Sequence, residues 1–109
     1  MLAVTVDAIR AAVAAGTPLL RTHSLRRMGE HRISVDDLVQ ALSNCELVED
    51  YPNDPRGPSA LVLGLTTSGR PLHAVCTFDF RSGRLFIITV YEPETPRWLD
   101  EHTRNPAWR

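Results

Sequence analysis

Apolar positions change their period near the middle of the chain, and the change divides it into a helical half and a strand half. In the first segment Val4, Ala8, Ile9, Ala12 and Val13 recur at three- and four-residue spacing before Gly16-Thr17-Pro18. The spacing predicts an amphipathic helix over Val4 to Ala15 that stops at Gly16. A second, short helix is expected from Thr22 or Ser24 to about His31, with Leu25 and Met28 on one side and Arg26, Arg27 and Glu30 toward solvent. A third begins at Ser34, where a hydroxyl N-cap precedes Asp36 and Asp37 in the first turn, opposite the positive end of the helix dipole. Val35, Leu38, Val39 and Leu42 form its expected buried face, and Asn44 its stop.

Beyond Asn44 the pattern reads as strands. Cys45 to Tyr51 is the first, followed by an irregular loop holding Pro52, Pro55, Gly57 and Pro58. Ser59–Thr67, Pro71–Phe80 and Arg84–Glu92 are three more, separated by Ser68-Gly69 and Ser82-Gly83. The order predicts an α+β fold, with two or three N-terminal helices packed on one face of a three- to four-stranded antiparallel meander sheet. Two-residue loops at both turns would set Leu65 opposite Leu72, Leu63 opposite Ala74 and Leu61 opposite Cys76. They would also set Cys76 opposite Thr89, Ala74 opposite Tyr91 and Phe78 opposite Ile87, giving the core face. The other face would then carry His73 between Gly64 and Glu92, beside Val62, Val75 and Val90. Pro93 and Pro96 end the sheet, and the tail Arg97–Arg109, with Trp98 and Trp108, is expected to hold one helical turn.

At 109 residues one domain, 1–109, is expected, with 43% hydrophobic residues to build a modest core. Apolar runs reach only five or six residues, and no leader pattern opens the chain, so a cytoplasmic protein is expected. Cys45 and Cys76 lack metal-ligand spacing and read as reduced core thiols.

A net charge of −1 argues against holding nucleic acid by bulk electrostatics. Its distribution changes that picture. All twelve basic residues are Arg. Arg21, Arg26, Arg27 and Arg32 lie close together with His23 and His31 against a single Glu30, whereas Glu46, Glu49, Asp50 and Asp54 form an acidic segment. Guanidinium groups suit bidentate phosphate binding, although an all-Arg set also follows from codon bias.

His73 is the leading chemical candidate. The run Gly69-Arg70-Pro71-Leu72-His73 delivers a guanidinium and an imidazole to one end of the sheet. Phosphodiester cleavage in RNA needs a group near neutral pKa to move the 2′-hydroxyl proton, and a cation for the charge developing on phosphate. The plainer reading is a strand histidine satisfied by Glu92 or a backbone carbonyl. His23 and Arg27, four apart on one helix face, form with Ser24 and Arg26 a candidate phosphate clamp; the plainer reading is a solvated helix face. Asp36-Asp37 reads as capping, Glu46, Glu49 and Asp50 as a solvated acidic edge, and Trp98 and Trp108 as packing of the tail. No metal site or cofactor is expected, and no nucleotide-binding glycine loop, nucleophile elbow or zinc signature occurs.

Several runs are similar to those of a bacterial family. Thr22-His23-Ser24, Arg27-Met28, His31-Arg32-Ile33-Ser34, Asp37 and Ala41-Leu42 resemble the first half of the domain of unknown function family DUF4258. Tyr51-Pro52, Ser59 to Gly64, Gly69 to Val75 and Ile87 to Pro93 resemble its second half, and Trp98 with Thr103-Arg104 its closing motif. The resemblance covers about His23 to Arg104. It implies a fold shared with the RelE, ParE, BrnT and MqsR toxins and a metal-independent endoribonuclease, the toxin of a toxin–antitoxin pair.

The matching polar residues are His23, Ser24, Arg27, Arg70, His73, Thr89 and Tyr91. His73 is then expected as general base or acid, Arg70 and Arg27 as phosphate holders, and His23 and Tyr91 as aids to proton transfer. Arg26, Ser24 and Thr89 are expected to bind substrate. The expected partners are RNA, an antitoxin such as a small zinc-finger protein, and a second copy in a homodimer, with no membrane. The alternative is a non-catalytic protein-interaction module of the ParE kind.

Overall fold

The computed structural model describes residues 4–55, 57–79 and 81–93. Helix α1 spans Val6–Ala15, α2 Thr22–His31 and α3 Val35–Ser43. Strands β1 (Glu46–Tyr51), β2 (Ser59–Leu65), β3 (Pro71–Phe78) and β4 (Leu85–Tyr91) follow as an antiparallel sheet in sequential order. This is the expected α+β architecture. The expectation of a helical turn in the tail, with Trp98 and Trp108, lies outside the described residues.

Local chemistry accounts for the helix limits. The hydroxyl of Thr5 accepts from the amide of Ala8 at 3.1 Å and starts α1 two residues later than the apolar spacing suggests. Ser34 and Asp37 close a reciprocal capping box at the start of α3, each bond 3.0 Å, and Asn44 caps its end. Helix α2 ends at Arg32, a non-glycine residue in left-handed conformation (φ 54°, ψ 50°).

The helices cover one face of the sheet. Ile9 and Val13 of α1, Met28 of α2, and Leu38, Ala41 and Leu42 of α3 are buried in one cluster with Val62, Leu72, Ala74, Cys76, Leu85, Ile87 and Val90. Helix α3 lies on β2, α1 on α3, and α2 against β4. Cys45 and Cys76 are both buried as free thiols, and burial pushes each of them up from the ordinary thiol pKa. Leu19 forms a single parallel bridge to Phe86 beside β4.

The register departs from the two-residue-loop expectation at both turns. Thr66 and Arg70 close the first, where the amide of Thr66 donates to the carbonyl of Arg70 at 2.9 Å, leaving three residues in the loop and Gly69 at φ 86°. Leu63 therefore faces His73, Val62 faces Ala74 and Ala60 faces Cys76, one residue from the arithmetic. The core face of β2 is thus Ala60, Val62 and Gly64, while Leu61 and Leu63 are buried on the other face with His73. Asp79 and Arg84 close the second turn, with Gly83 at φ 71°, so Phe78 faces Leu85 and not Ile87.

A β-bulge then inserts one residue into β4. Cys76 faces Ile87 but Val75 faces Thr89, which leaves Ile88 unpaired. Before the bulge Leu85 and Ile87 point to the core; after it Val90 does, and Tyr91 turns to the opposite face. His73 consequently stands between Leu63 and Tyr91, not between Gly64 and Glu92.

Candidate functional site

Four-residue spacing puts positions 23, 27 and 31 of α2 in one stripe. Because α2 packs against β4, the lower two members of that stripe meet the end of the sheet. The guanidinium carbon of Arg27 lies 5.6 Å from the centre of the Tyr91 ring, a cation–π distance, and its Nη1 also donates to Glu30 at 3.4 Å. The ring of His31 lies 6.4 Å from that of Tyr91, tilted by 54°.

On the sheet side, the Tyr91 hydroxyl is 3.3 Å from Nδ1 of His73, and the two rings meet edge to face with centres 5.4 Å apart. Tyr91 is half-buried, whereas His73 is wholly buried at 0% exposure. In this conformation the imidazole of His73 reaches solvent only through a neighbour. A phenol backed by an interior imidazole and faced by an arginine is thus the hub of the cluster.

A second set of bonds frames it. The backbone amide of Glu92 donates to Nδ1 of His31 at 3.3 Å, so the neutral His31 ring carries its proton on Nε2. Arg70 reaches across from the start of β3: Nη1 donates to the carbonyl of Arg32 at 2.8 Å, Nη2 to the carbonyl of His31, and Nε lies 3.3 Å from the Glu92 carboxylate. Its guanidinium is therefore turned toward the last turn of α2 and the end of β4.

Of the residues expected from the sequence, Arg27, Arg70, His73 and Tyr91 come together here. His23 continues the α2 stripe one turn away and is exposed, as is Arg26. Ser24 is fully buried, its hydroxyl bonded to both the amide and the carbonyl of Arg21 at 3.0 Å, so it closes the helix start. Thr89 is half-buried opposite Val75, on the face of β4 that carries Tyr91. Sequence reasoning missed His31 and the placement of Glu92; the available signal for His31 was its four-residue step from Arg27. Asp37, read as a capping residue, holds the Ser34 amide, and that bond keeps its carboxyl below the usual range.

Elsewhere, a surface hollow of ≈370 Å³ between the end of α1 and the β3–β4 turn is lined by residues such as Ala12, Ala15, Pro18 and Arg84 and shares none with this cluster. Among the described residues no three of His, Cys, Asp and Glu gather as a metal site. No helix among them is long and apolar enough to cross a membrane.

The chain belongs to the DUF4258 family: the model for this domain of unknown function matches residues 20–92. The match runs from just before α2 to the end of β4 and contains the whole cluster; Trp98 and Thr103-Arg104 lie beyond it. No curated protein and no solved structure matches the chain.

Proposed function

With that membership as premise, we propose that the protein is a metal-independent endoribonuclease, the toxin component of a toxin–antitoxin pair, related to the RelE, ParE, BrnT and MqsR toxins and working in the cytoplasm. One observation carries the reading: a partly exposed phenol, Tyr91, is backed by the buried imidazole of His73 and faced by the Arg27 guanidinium. A proton acceptor with an internal relay and a cation for phosphate are the two groups that cleavage by the 2′-hydroxyl requires.

In this reading the 2′-hydroxyl passes its proton to the Tyr91 oxygen as Tyr91 passes its own to Nδ1 of His73. The 2′-oxygen bonds to phosphorus, the bond to the 5′-oxygen breaks, and the departing oxygen takes a proton from solvent, leaving a 2′,3′-cyclic phosphate. Arg27 stabilises the charge on the phosphate oxygens. His73 acts through Tyr91 and does not touch the substrate. Arg26, exposed on α2, extends the cationic surface along the RNA, with the exposed His23 on the same helix and Thr89 on the sheet side. An antitoxin would cover this surface in the resting pair.

The test is digestion of a defined RNA oligonucleotide by the purified chain, with analysis of the new 3′ ends. Tyr91→Phe should slow cleavage by about 10²–10⁴-fold, and Arg27→Ala by about 10²–10³-fold. Failure of the unmodified protein to cut RNA, or undiminished cutting by both variants, refutes the proposal. The ParE-like alternative, a partner-binding module, draws on Leu25, which is 52% exposed on α2 beside Arg26. An apolar anchor there serves a protein interface and has no role in cleavage.

A further inference from the structure

Arg70 was expected to hold phosphate, yet three of its five N–H directions are taken up inside the protein. Two go to the carbonyls of His31 and Arg32, which end α2 and carry the negative end of its dipole. The third meets the Glu92 carboxylate, and the backbone amide of that same residue fixes Nδ1 of His31. One guanidinium therefore links the last turn of α2 to the residue after Tyr91. The Arg70 side chain is 25% exposed and that of Glu92 41%, so the ion pair stands at the surface and the two carbonyl bonds carry the link.

We infer that Arg70 is the positioning residue of the site: it locks the α2 terminus to the end of β4 and so sets His31 in one tautomer and Arg27 over Tyr91. The functional half of this inference rests on the ribonuclease reading; the geometric half does not. Helix α2 has only ten residues, too few to hold its last turn unaided, and its C-cap already sits in an unfavourable left-handed conformation. A planar fork that serves two carbonyls and a carboxylate together is specific to arginine; a lysine ammonium offers one point of charge.

Two readouts test it on the full chain. In the first, long-range ¹H–¹⁵N spectra at a pH where the ring is neutral follow the His31 nitrogens. The unmodified protein should show Nδ1 as acceptor and Nε2 protonated. In Arg70→Ala the two shifts should converge, as the Glu92 amide loses its hold, while the Ala74 and Val62 resonances of the core stay in place. Arg70→Lys should move them in the same direction, and it carries the test if Arg70→Ala does not fold. In the second, RNA cleavage by Arg70→Lys should lose about 10–100-fold in kcat with KM within about threefold, since misplacement slows the chemical step and a lost phosphate ligand would raise KM.

An unchanged His31 tautomer in the folded variants overturns the inference, and so does a loss confined to KM. A lower denaturation midpoint with unmoved His31 shifts would mark Arg70 as merely structural and overturn it too. If the unmodified protein cuts no RNA, the ribonuclease reading fails by itself, and the His31 spectra still decide what Arg70 does.

Discussion

Replacing Gly64 with alanine tests the packing that holds the helical layer on the sheet. A Cβ at this position would stand 1.9 Å from the carbonyl oxygen of Ala41, 2.4 Å from its carbonyl carbon and 2.8 Å from its Cα. All three atoms are backbone, so no side-chain rotation relieves the overlap. Ordinary contact requires α3 and β2 to separate by about 1.5 Å. Helix α3 is not free to lift. Its Asn44 side chain exchanges two bonds with Leu65, at 2.9 and 3.0 Å, and its Gln40 accepts from the Thr67 amide at 2.8 Å.

Separation would break those bonds or open voids around Leu38, Ala41 and Leu42, which are at most 2% exposed. Overpacking against backbone, with such voids, should cost about 3–5 kcal/mol, a large share of the roughly 5–15 kcal/mol typical of a domain. Urea unfolding followed by far-ultraviolet circular dichroism measures it, and the melting midpoint should fall by about 15–30 °C. Gly29→Ala is the opposite control. Nothing lies within 4 Å of its Cβ, and alanine inside α2 should add about 0.5–1 kcal/mol. Gly64→Ala within about 0.5 kcal/mol of the unmodified protein, at equal m-value, would refute the close-approach argument.

Arg32→Gly should stabilise the protein by about 0.5–1 kcal/mol, because glycine takes the left-handed C-cap freely and the carbonyl that Arg70 binds is retained; a loss in the same urea assay contradicts this. Cys45 and Cys76 should resist a thiol reagent until the chain unfolds, since both are buried. Their raised pKa values give stability that is complete below the unfolded thiol pKa, near 8.5, and falls as pH rises above it, by up to about 1.4 kcal/mol per pH unit per thiol. Cys76→Ala should flatten that alkaline slope, and an unchanged slope would sink the assignment. Asp37 contributes in the other direction. Its lowered pKa gives stability present above about pH 4 and lost as pH falls through the folded value. Asp37→Ala should cost about 0.5–1 kcal/mol near neutrality, and the gap should close in acid.

Each element was legible from short-range chemistry. Three helices followed from apolar spacing and from Gly16, Ser34 and Asn44; four strands followed from alternation and from the glycine and proline punctuation. Arg27, Arg70 and His73 stood out because their side chains can carry charge or protons, and Tyr91 through the family resemblance. What they face did not follow. A two-residue loop at Ser68-Gly69 was the simplest reading, but one more residue in that turn exchanged the faces of β2, because side chains alternate with period two.

The sequence by itself determined the order and type of the elements, since propensity, capping and turn chemistry act within a few residues. Tertiary structure decided that the Ile88 bulge turns Tyr91 toward His73, that His73 is interior, and that Arg70 ties a helix end to Glu92. Those outcomes depend on packing between segments as much as 61 residues apart, as in the bond from the Glu92 amide to the His31 ring, and no local pattern encodes them.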